Sequence, residues 1–195
     1  MLALAALLLI AADPPTHSAL VDATSVVPHL RLDLRYATAH NLVGEVLYAH
    51  ASCLLLPQTA QALARAEATL EAHGFALVAW DCFRPRRVQR ELWKKQPTPG
   101  LVANPTRGSN HNRGAAVDVA LVQLDGGAVA LPTDFDDLSP KAAANASDEL
   151  SDEAKRNRAT LQAAMRGAGF TTIRKEWWHF DLKGALQLPV LDDEL

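Results

Sequence analysis

Apolar residues recur at helical spacing in three parts of the chain, which predicts three helices. The first covers residues 58–73, the second about 85–95, and the third starts at a Ser151 cap and is closed by Gly167 or Gly169. Their apolar faces are Leu63, Ala66 and Leu70 in the first, Val88 and Leu92 in the second, and Ala154, Leu161 and Met165 in the third. Gly74 is suited to end the first helix.

Short apolar runs between and after these helices predict strands over residues 76–80, 115–124, 170–173 and 177–182. The tripeptide at 125–127 is typical of a hairpin turn and predicts a further strand over 128–131. The stretches 95–107, with three prolines, and 133–145, which is polar, are predicted as loops.

Helices and strands do not alternate strictly along the chain, so the pattern predicts an α+β fold with a central antiparallel sheet flanked by helices. A length of 195 residues is sufficient for one sizeable core and small for two full domains. We therefore expect residues 13–195 to form a single domain.

Residues 2–12 form an unbroken apolar run that is too short to span a bilayer and suits the core of a signal peptide. Because no Lys or Arg precedes the run, a buried helix is the alternative. We predict that residues 1–12 are a signal peptide, that the chain is periplasmic or otherwise exported, and that it has no stable membrane insertion. A cytoplasmic location is the alternative.

Composition and cysteine content narrow the class of protein further. A formal charge of −3 without a basic run argues against a nucleic-acid partner. Cys53 and Cys82 would form a disulfide in an exported chain, and two buried thiols are the alternative. Their spacing is not that of a zinc ribbon, so thiolate ligands are not predicted.

Two short clusters carry the candidate chemistry: His111 with Asp118, and Glu176 with His179. Two imidazoles and one carboxylate are a typical ligand set for catalytic zinc, which keeps a fourth position open. Glu176 lies three residues before a proposed ligand and is placed to accept a proton from water. The alternative is a purely structural role, with a hydrogen-bonded core histidine beside a structural Asp.

The spacing within each cluster demands a bend. On a straight strand, residues 111 and 118 would point to opposite faces, and so would residues 176 and 179. Gly114 is suited to bend the first segment. A helix would bring residues 176 and 179 together, but Trp-Trp-His-Phe favours a strand, so a local kink is then required in the second segment. The remaining histidines are expected at the surface: His17, His29, His40, His50 and His73.

Five ordered blocks together resemble a known family. They are Leu34-Arg-Tyr-Ala-Thr38 with Asn41 and Gly44, Trp80-Asp-Cys-Phe-Arg-Pro85, Ser109-Asn-His-Asn-Arg-Gly-Ala-Ala-Val-Asp118, Thr133-Asp-Phe-Asp136 and Glu176-Trp-Trp-His-Phe180. The blocks are similar to those of VanX-type D-alanyl-D-alanine dipeptidases. This family falls within the zinc peptidase superfamily that also contains lysostaphin-type enzymes and hedgehog domains.

The resemblance implies a role for each candidate residue. It implies one zinc per chain, held by His111, Asp118 and His179, with Glu176 as general base. It implies Arg84 as the donor to the oxyanion, with a structural salt bridge as the alternative. It further implies substrate-binding residues: Asp136 and Tyr36 on the amine side, and Ser109 on the carboxylate side. Asp136 could instead solvate or cap its loop.

The activity implied is hydrolysis of the free dipeptide D-Ala-D-Ala to D-alanine, so that the partner is a small dipeptide. One alternative is a D-Ala-D-Ala carboxypeptidase or endopeptidase that acts on longer peptidoglycan stems. Another is a non-catalytic, zinc-stabilised binding module, against which the presence of both Glu176 and Arg84 argues. The oligomeric state is left open by the sequence.

Overall fold

The computed structural model describes residues 20–97 and 101–195. The predicted signal peptide at residues 1–12 and His17 lie outside the described residues. None of the helices in the described ranges has the length and hydropathy needed to cross a membrane.

The described chain forms three helices and seven strands, numbered here in chain order. The helices are α1 (Pro57–Glu71), α2 (Arg86–Lys95) and α3 (Asp152–Gly167). The strands are β1 (Val21–Asp22), β2 (Arg31–Leu32), β3 (Leu54–Leu55), β4 (Phe75–Asp81), β5 (Ala116–Gln123), β6 (Phe170–Thr172) and β7 (His179–Leu182). All three predicted helices are confirmed within two or three residues.

Five of the strands form one sheet in the order β2-β4-β5-β7-β6. The pairs β4–β5, β5–β7 and β7–β6 are antiparallel, whereas the short edge strand β2 runs parallel to β4. Strands β1 and β3 form a separate antiparallel pair. The α+β class and the single domain are confirmed. The sheet differs from the prediction in one pair, β2–β4, which is parallel.

The core fills the space between the sheet and the helices. Helix α1 buries the predicted stripe of Leu63, Ala66 and Leu70 and packs on β4 and α3. Helix α3 begins where predicted, because the Ser151 side chain accepts a hydrogen bond from the Ala154 amide at 3.1 Å. Strand β5 is buried on both faces over its first six residues, which places its polar member Asp118 inside the protein.

The predicted strand at residues 128–131 is wrong. The turn at 125–127 forms, with the Gln123 amide donating to the Gly127 carbonyl at 2.8 Å. Beyond it the chain leaves the sheet towards α3, where the Asn157 side chain donates to the Ala130 carbonyl at 2.9 Å. A hydrogen bond to a helix side chain therefore replaces the expected strand pairing.

A disulfide joins Cys53, just before β3, to Cys82, just after β4. Both residues are fully buried. The predicted bond is confirmed, and the alternative of two free thiols is wrong. The bond ties the end of β4, where the candidate site begins, to the neighbouring segment of the chain.

Candidate metal centre and active-site cleft

His111 reaches the site through a tight turn at the start of β5. It opens the short 3₁₀ turn His111–Arg113, which Gly114 ends in the left-handed region at φ 62°. A Cβ at residue 114 would lie 2.5 Å from a Leu20 methyl carbon and 3.1 Å from the Leu56 amide nitrogen. Glycine is therefore required here for both its conformation and its size, and the predicted bend is confirmed.

Sheet register brings the next two residues together. Asp118 on β5 and His179 on β7 are direct cross-strand partners, and Asp81 on β4 pairs with Asp118 from the other side. Directly opposed residues of antiparallel strands project from the same face of the sheet. One row across three strands therefore carries two of the three candidate ligands, Asp118 and His179, beside Asp81, and spacing along the chain does not reveal this contact.

Glu176 lies outside the sheet, before a turn at Trp177–Trp178 that leads into β7. The predicted kink is confirmed, and the predicted strand at 177–182 begins later, at His179. The turn brings a Glu176 carboxylate oxygen to 3.9 Å from His179 Nδ1. Both tryptophans are buried in the core.

Three donor atoms converge in this arrangement. His111 Nε2 lies 3.2 Å from His179 Nδ1 and 3.4 Å from an Asp118 carboxylate oxygen, while His179 Nδ1 lies 2.9 Å from the other oxygen. All three residues are buried, and their donor atoms lie within 4.8 Å of one another. Two nitrogens and one oxygen at such separations fit a single metal ion.

The outer nitrogen of each imidazole also has a partner. His111 Nδ1 lies 2.7 Å from the Cys82 carbonyl oxygen, and His179 Nε2 lies 2.9 Å from an Asp181 carboxylate oxygen. A carbonyl oxygen can only accept, so the Nδ1 of His111 carries the proton and its Nε2 lone pair faces the centre. Asp181 fixes the other ring in the same way, and such outer partners are typical of metal-ligating histidines.

Burial and charge set the ionisation of the two central carboxyls. For Asp118, burial raises the pKa, but the adjacent imidazoles of His111 and His179 outweigh it and hold the pKa well below its ordinary range. Asp118 is therefore an anion that suits a cation. For Glu176, burial dominates and raises the pKa, moving the group closer to the neutral range in which a proton acceptor works best.

Arg84 lies beside the three donors and is held from several sides. Its Nε and Nη2 donate to one Asp81 carboxylate oxygen at 3.0 and 2.7 Å, and its Nη1 donates to the Gln89 side chain at 3.0 Å. The guanidinium also lies over the Tyr36 ring at 5.0 Å. Nη2 remains 4.0 Å from Asp118, so the cation faces the donor cluster.

Asp136 and Tyr36 meet on one side of the site although they are 100 residues apart in the chain. The Tyr36 hydroxyl donates to Asp136 Oδ2 at 3.3 Å, and the Leu42 amide donates to the same oxygen at 2.8 Å. Burial, aided by the charges of Asp118 and Glu176, raises the pKa of Asp136 to about 7. Asp136 adopts the left-handed region at φ 57°.

All eight predicted site residues line one cleft of about 740 Å³. Ser109 lies on its wall, where its hydroxyl oxygen accepts a hydrogen bond from the His111 amide at 3.3 Å. The four other described histidines are exposed and lie outside the cleft, as predicted: His29, His40, His50 and His73.

Sequence reasoning missed Asp81, Gln89 and Asp181. Each contacts a predicted residue, and the sequence analysis assigns a role to none of the three. A signal existed for Asp181, since residues two apart on a strand share a face and this position lies two residues after a proposed ligand. Asp81 lies within the block Trp80–Pro85 that carries the family resemblance, but no role was assigned to it, and Gln89 offered no comparable signal.

Convergent imidazole and carboxylate donors beside a half-buried glutamate are typical of metal-dependent peptidases. The family profile described as D-Ala-D-Ala dipeptidase (peptidase M15) matches residues 16–194. The chain therefore belongs to this family.

Relatives with established names agree with this assignment. A D-alanyl-D-alanine dipeptidase of Escherichia coli (strain K12) is 38% identical over 175 residues, covering 90% of each chain. A protein of the same name from Enterococcus faecalis (strain ATCC 700802 / V583) is 30% identical, over 78% of this chain and 86% of the relative. Another, from Streptomyces coelicolor (strain ATCC BAA-471 / A3(2) / M145), is also 30% identical, over 81% of this chain and 88% of the relative.

Proposed function

We propose that the protein is a zinc-dependent dipeptidase that hydrolyses free D-Ala-D-Ala to D-alanine. One observation carries the proposal: three convergent metal donors lie beside Glu176 and Arg84 in a single cleft of a chain that belongs to the D-Ala-D-Ala dipeptidase family. The names of its relatives supply the substrate, and the cleft supplies the groups that its hydrolysis requires.

The proposed zinc ligands are His111 Nε2, His179 Nδ1 and the Asp118 carboxylate. This mixture of imidazole and carboxylate donors suits zinc, and three protein ligands leave a position open. When bound, zinc acts as a Lewis acid towards the scissile carbonyl and increases the acidity of water.

Glu176 is the proposed general base. Its side chain is 16% exposed, so water can reach a carboxylate that is otherwise surrounded by protein. Glu176 takes a proton from the attacking water and delivers it to the nitrogen of the leaving D-alanine. A carboxyl whose pKa is raised by burial is better matched to both transfers than an exposed glutamate.

Arg84 is the proposed donor to the oxygen that becomes negative during attack. Within the described chain, three of its five N–H donors bond to Asp81 and Gln89, so one N–H on each terminal nitrogen is available to the substrate. A cation held in place before the reaction needs no reorganisation when the charge develops.

The two charged ends of the dipeptide have separate candidate partners. The Asp136 carboxylate pairs with the substrate ammonium, and Tyr36 holds that carboxylate through its hydroxyl. Burial raises the pKa of Tyr36 well above its ordinary value, so the hydroxyl stays protonated and keeps donating. Ser109 lies on the cleft wall and offers its hydroxyl hydrogen to the substrate carboxylate.

The decisive experiment measures metal content together with substrate choice. We expect about one zinc per chain by elemental analysis, reversible loss of activity with a chelator, and preference for free D-Ala-D-Ala over its N-acetyl form. Hydrolysis of both at equal rates would instead indicate a carboxypeptidase. Metal-bound protein that hydrolyses neither would indicate a binding module.

We further propose that residues 1–12 direct export and that residues 13–195 are the mature domain. The disulfide Cys53–Cys82 supports this location, because such bonds persist mainly in oxidising compartments. Fractionation of cells that produce the full chain should recover the oxidised protein outside the cytoplasm. Recovery of the activity only from the cytoplasm would contradict the proposal.

A further inference from the structure

Gln89 is a fully enclosed polar residue that contacts two residues of the cleft lining, Arg84 and Ala103. It lies in the first turn of α2 and is 1% exposed. Its side-chain oxygen accepts from Arg84 Nη1 at 3.0 Å, and its side-chain nitrogen donates to the Ala103 carbonyl at 2.8 Å. A buried amide that is satisfied at both ends is held in one place.

The two partners permit only one orientation of this amide. A guanidinium has donors and no acceptor, and a main-chain carbonyl has acceptors and no donor. The amide oxygen must therefore face Arg84, and the amide nitrogen must face Ala103. Of the side chains of this length, glutamate can satisfy only the Arg84 contact, and methionine satisfies neither.

Gln89 completes the restraint on the Arg84 guanidinium. Asp81 holds one edge of the group through Nε and Nη2, and Asp81 is itself held by the Tyr48 hydroxyl and the Cys82 amide. These contacts leave the Nη1 corner to be fixed by Gln89. Rotation of that corner would redirect the two N–H groups that remain for the substrate.

The contact with Ala103 extends this restraint to a second segment of the cleft lining. Ala103 and Ser109 belong to the same segment of the cleft lining. Gln89 therefore couples the position of the oxyanion donor to that of the segment expected to receive the substrate carboxylate.

We infer that Gln89 is a positioning residue for catalysis, acting through Arg84. The inference rests on the proposed function, since it assigns Gln89 to the same hydrolytic site. Small displacements of a catalytic group cost up to about 100-fold in rate. We expect Gln89→Met to lower kcat for D-Ala-D-Ala by about 10- to 100-fold while bound metal stays at the wild-type level.

Two further variants separate positioning from stability. Gln89→Glu keeps an acceptor for Arg84, so its kcat should exceed that of Gln89→Met, although the Ala103 contact is lost in both. Gln162→Met is the matched control, because Gln162 is also buried on a helix and donates to a carbonyl, that of Ala144, at 2.9 Å. The control should lower the melting temperature and leave kcat unchanged.

The test is a double-mutant cycle on kcat, with melting temperature and metal content measured for every variant. If Gln89 acts through Arg84, Gln89→Met has no further effect on kcat in the Arg84→Ala protein. Multiplication of the two losses would overturn the inference, and so would wild-type kcat in Gln89→Met. A wild-type protein inactive on D-Ala-D-Ala would instead refute the proposed function, so the two failures are distinct.

Discussion

Asp136→Asn tests the amine-side assignment by removing a charge with little change of shape. Asn tolerates the left-handed conformation that Asp136 adopts at φ 57°. Its amide oxygen can accept from the Leu42 amide and the Tyr36 hydroxyl, as Asp136 Oδ2 does now. Changes in stability and in substrate choice can therefore be assigned to the charge.

The effect on stability arises from the pKa of the buried carboxyl. Burial first, and the charges of Asp118 and Glu176 next, raise this pKa from an ordinary value of 3.8 to about 7. A folded-state pKa above the unfolded one means that deprotonation opposes folding, so stability is lost as pH rises from 3.8 to 7. Each pH unit between the two pKa values lowers the free energy of unfolding by about 1.4 kcal/mol. The total loss is therefore about 4 kcal/mol above pH 7.

Urea unfolding of metal-free protein measures this difference, because a bound dication would itself stabilise the carboxylate. Asp136→Asn should exceed the wild type in free energy of unfolding by up to about 4 kcal/mol at pH 8 and about 2 kcal/mol at pH 5.5. The exposed Asp148 provides the control variant Asp148→Asn, for which we expect no change. Equal stability of wild type and Asp136→Asn at both pH values would refute the burial argument.

The same variant should lose its preference for a free amine. Truncation of a buried charge partner typically costs about 2–5 kcal/mol, or roughly 30- to 5,000-fold in kcat/KM. We expect that loss with D-Ala-D-Ala and little change with N-acetyl-D-Ala-D-Ala. In the wild type, KM for the free dipeptide should rise as pH falls and the carboxyl becomes neutral. Equal losses on both substrates would assign Asp136 to the structure of its loop.

Three further predictions address the metal, the disulfide and the turn. Glu176→Ala should retain zinc by elemental analysis and lose at least about 100-fold in kcat, whereas His179→Ala should lose the metal. Near wild-type activity of Glu176→Ala would show that another residue is the base. Replacing both Cys53 and Cys82 by Ala opens a loop with a sequence separation of 29. From the loop-entropy model we expect the free energy of unfolding, measured in urea, to fall by about 3–4 kcal/mol. An unchanged free energy of unfolding would contradict that model. Gly114→Ala should weaken zinc affinity in a chelator competition, since a Cβ would lie 2.5 Å from a neighbouring methyl carbon; unchanged affinity would show that the turn adapts.

The candidate ligand residues could be singled out because their chemistry is visible in the residue types, but their meeting depends on pairing between distant segments. Asp118 and His179 are neighbours through the register of β5 and β7, which a single sequence does not specify. The bend at Gly114 could be predicted, because straight-strand alternation would have separated residues 111 and 118. A local bend can therefore be predicted where a straight strand would keep the proposed ligands apart.

The wrong strand at residues 128–131 shows the converse. A turn signal at 125–127 was interpreted as a hairpin, and the turn itself is present. The path of the chain beyond a turn depends on competition among distant partners, and here Asn157 of α3 takes the Ala130 carbonyl. Because that partner lies 27 residues away, the local alternation of apolar residues carried no information about it.

The two candidate histidine ligands are held at their outer nitrogens by different kinds of acceptor. Asp181 holds His179 through a side chain, so a strand pattern could have pointed to it. His111 is held by a main-chain carbonyl, that of Cys82, which every residue type possesses and no motif identifies. The position of that carbonyl depends on how β4 ends, and the disulfide to Cys53 fixes that end. The orientation of His111 therefore depends on the backbone of Cys82, the residue that the disulfide itself holds.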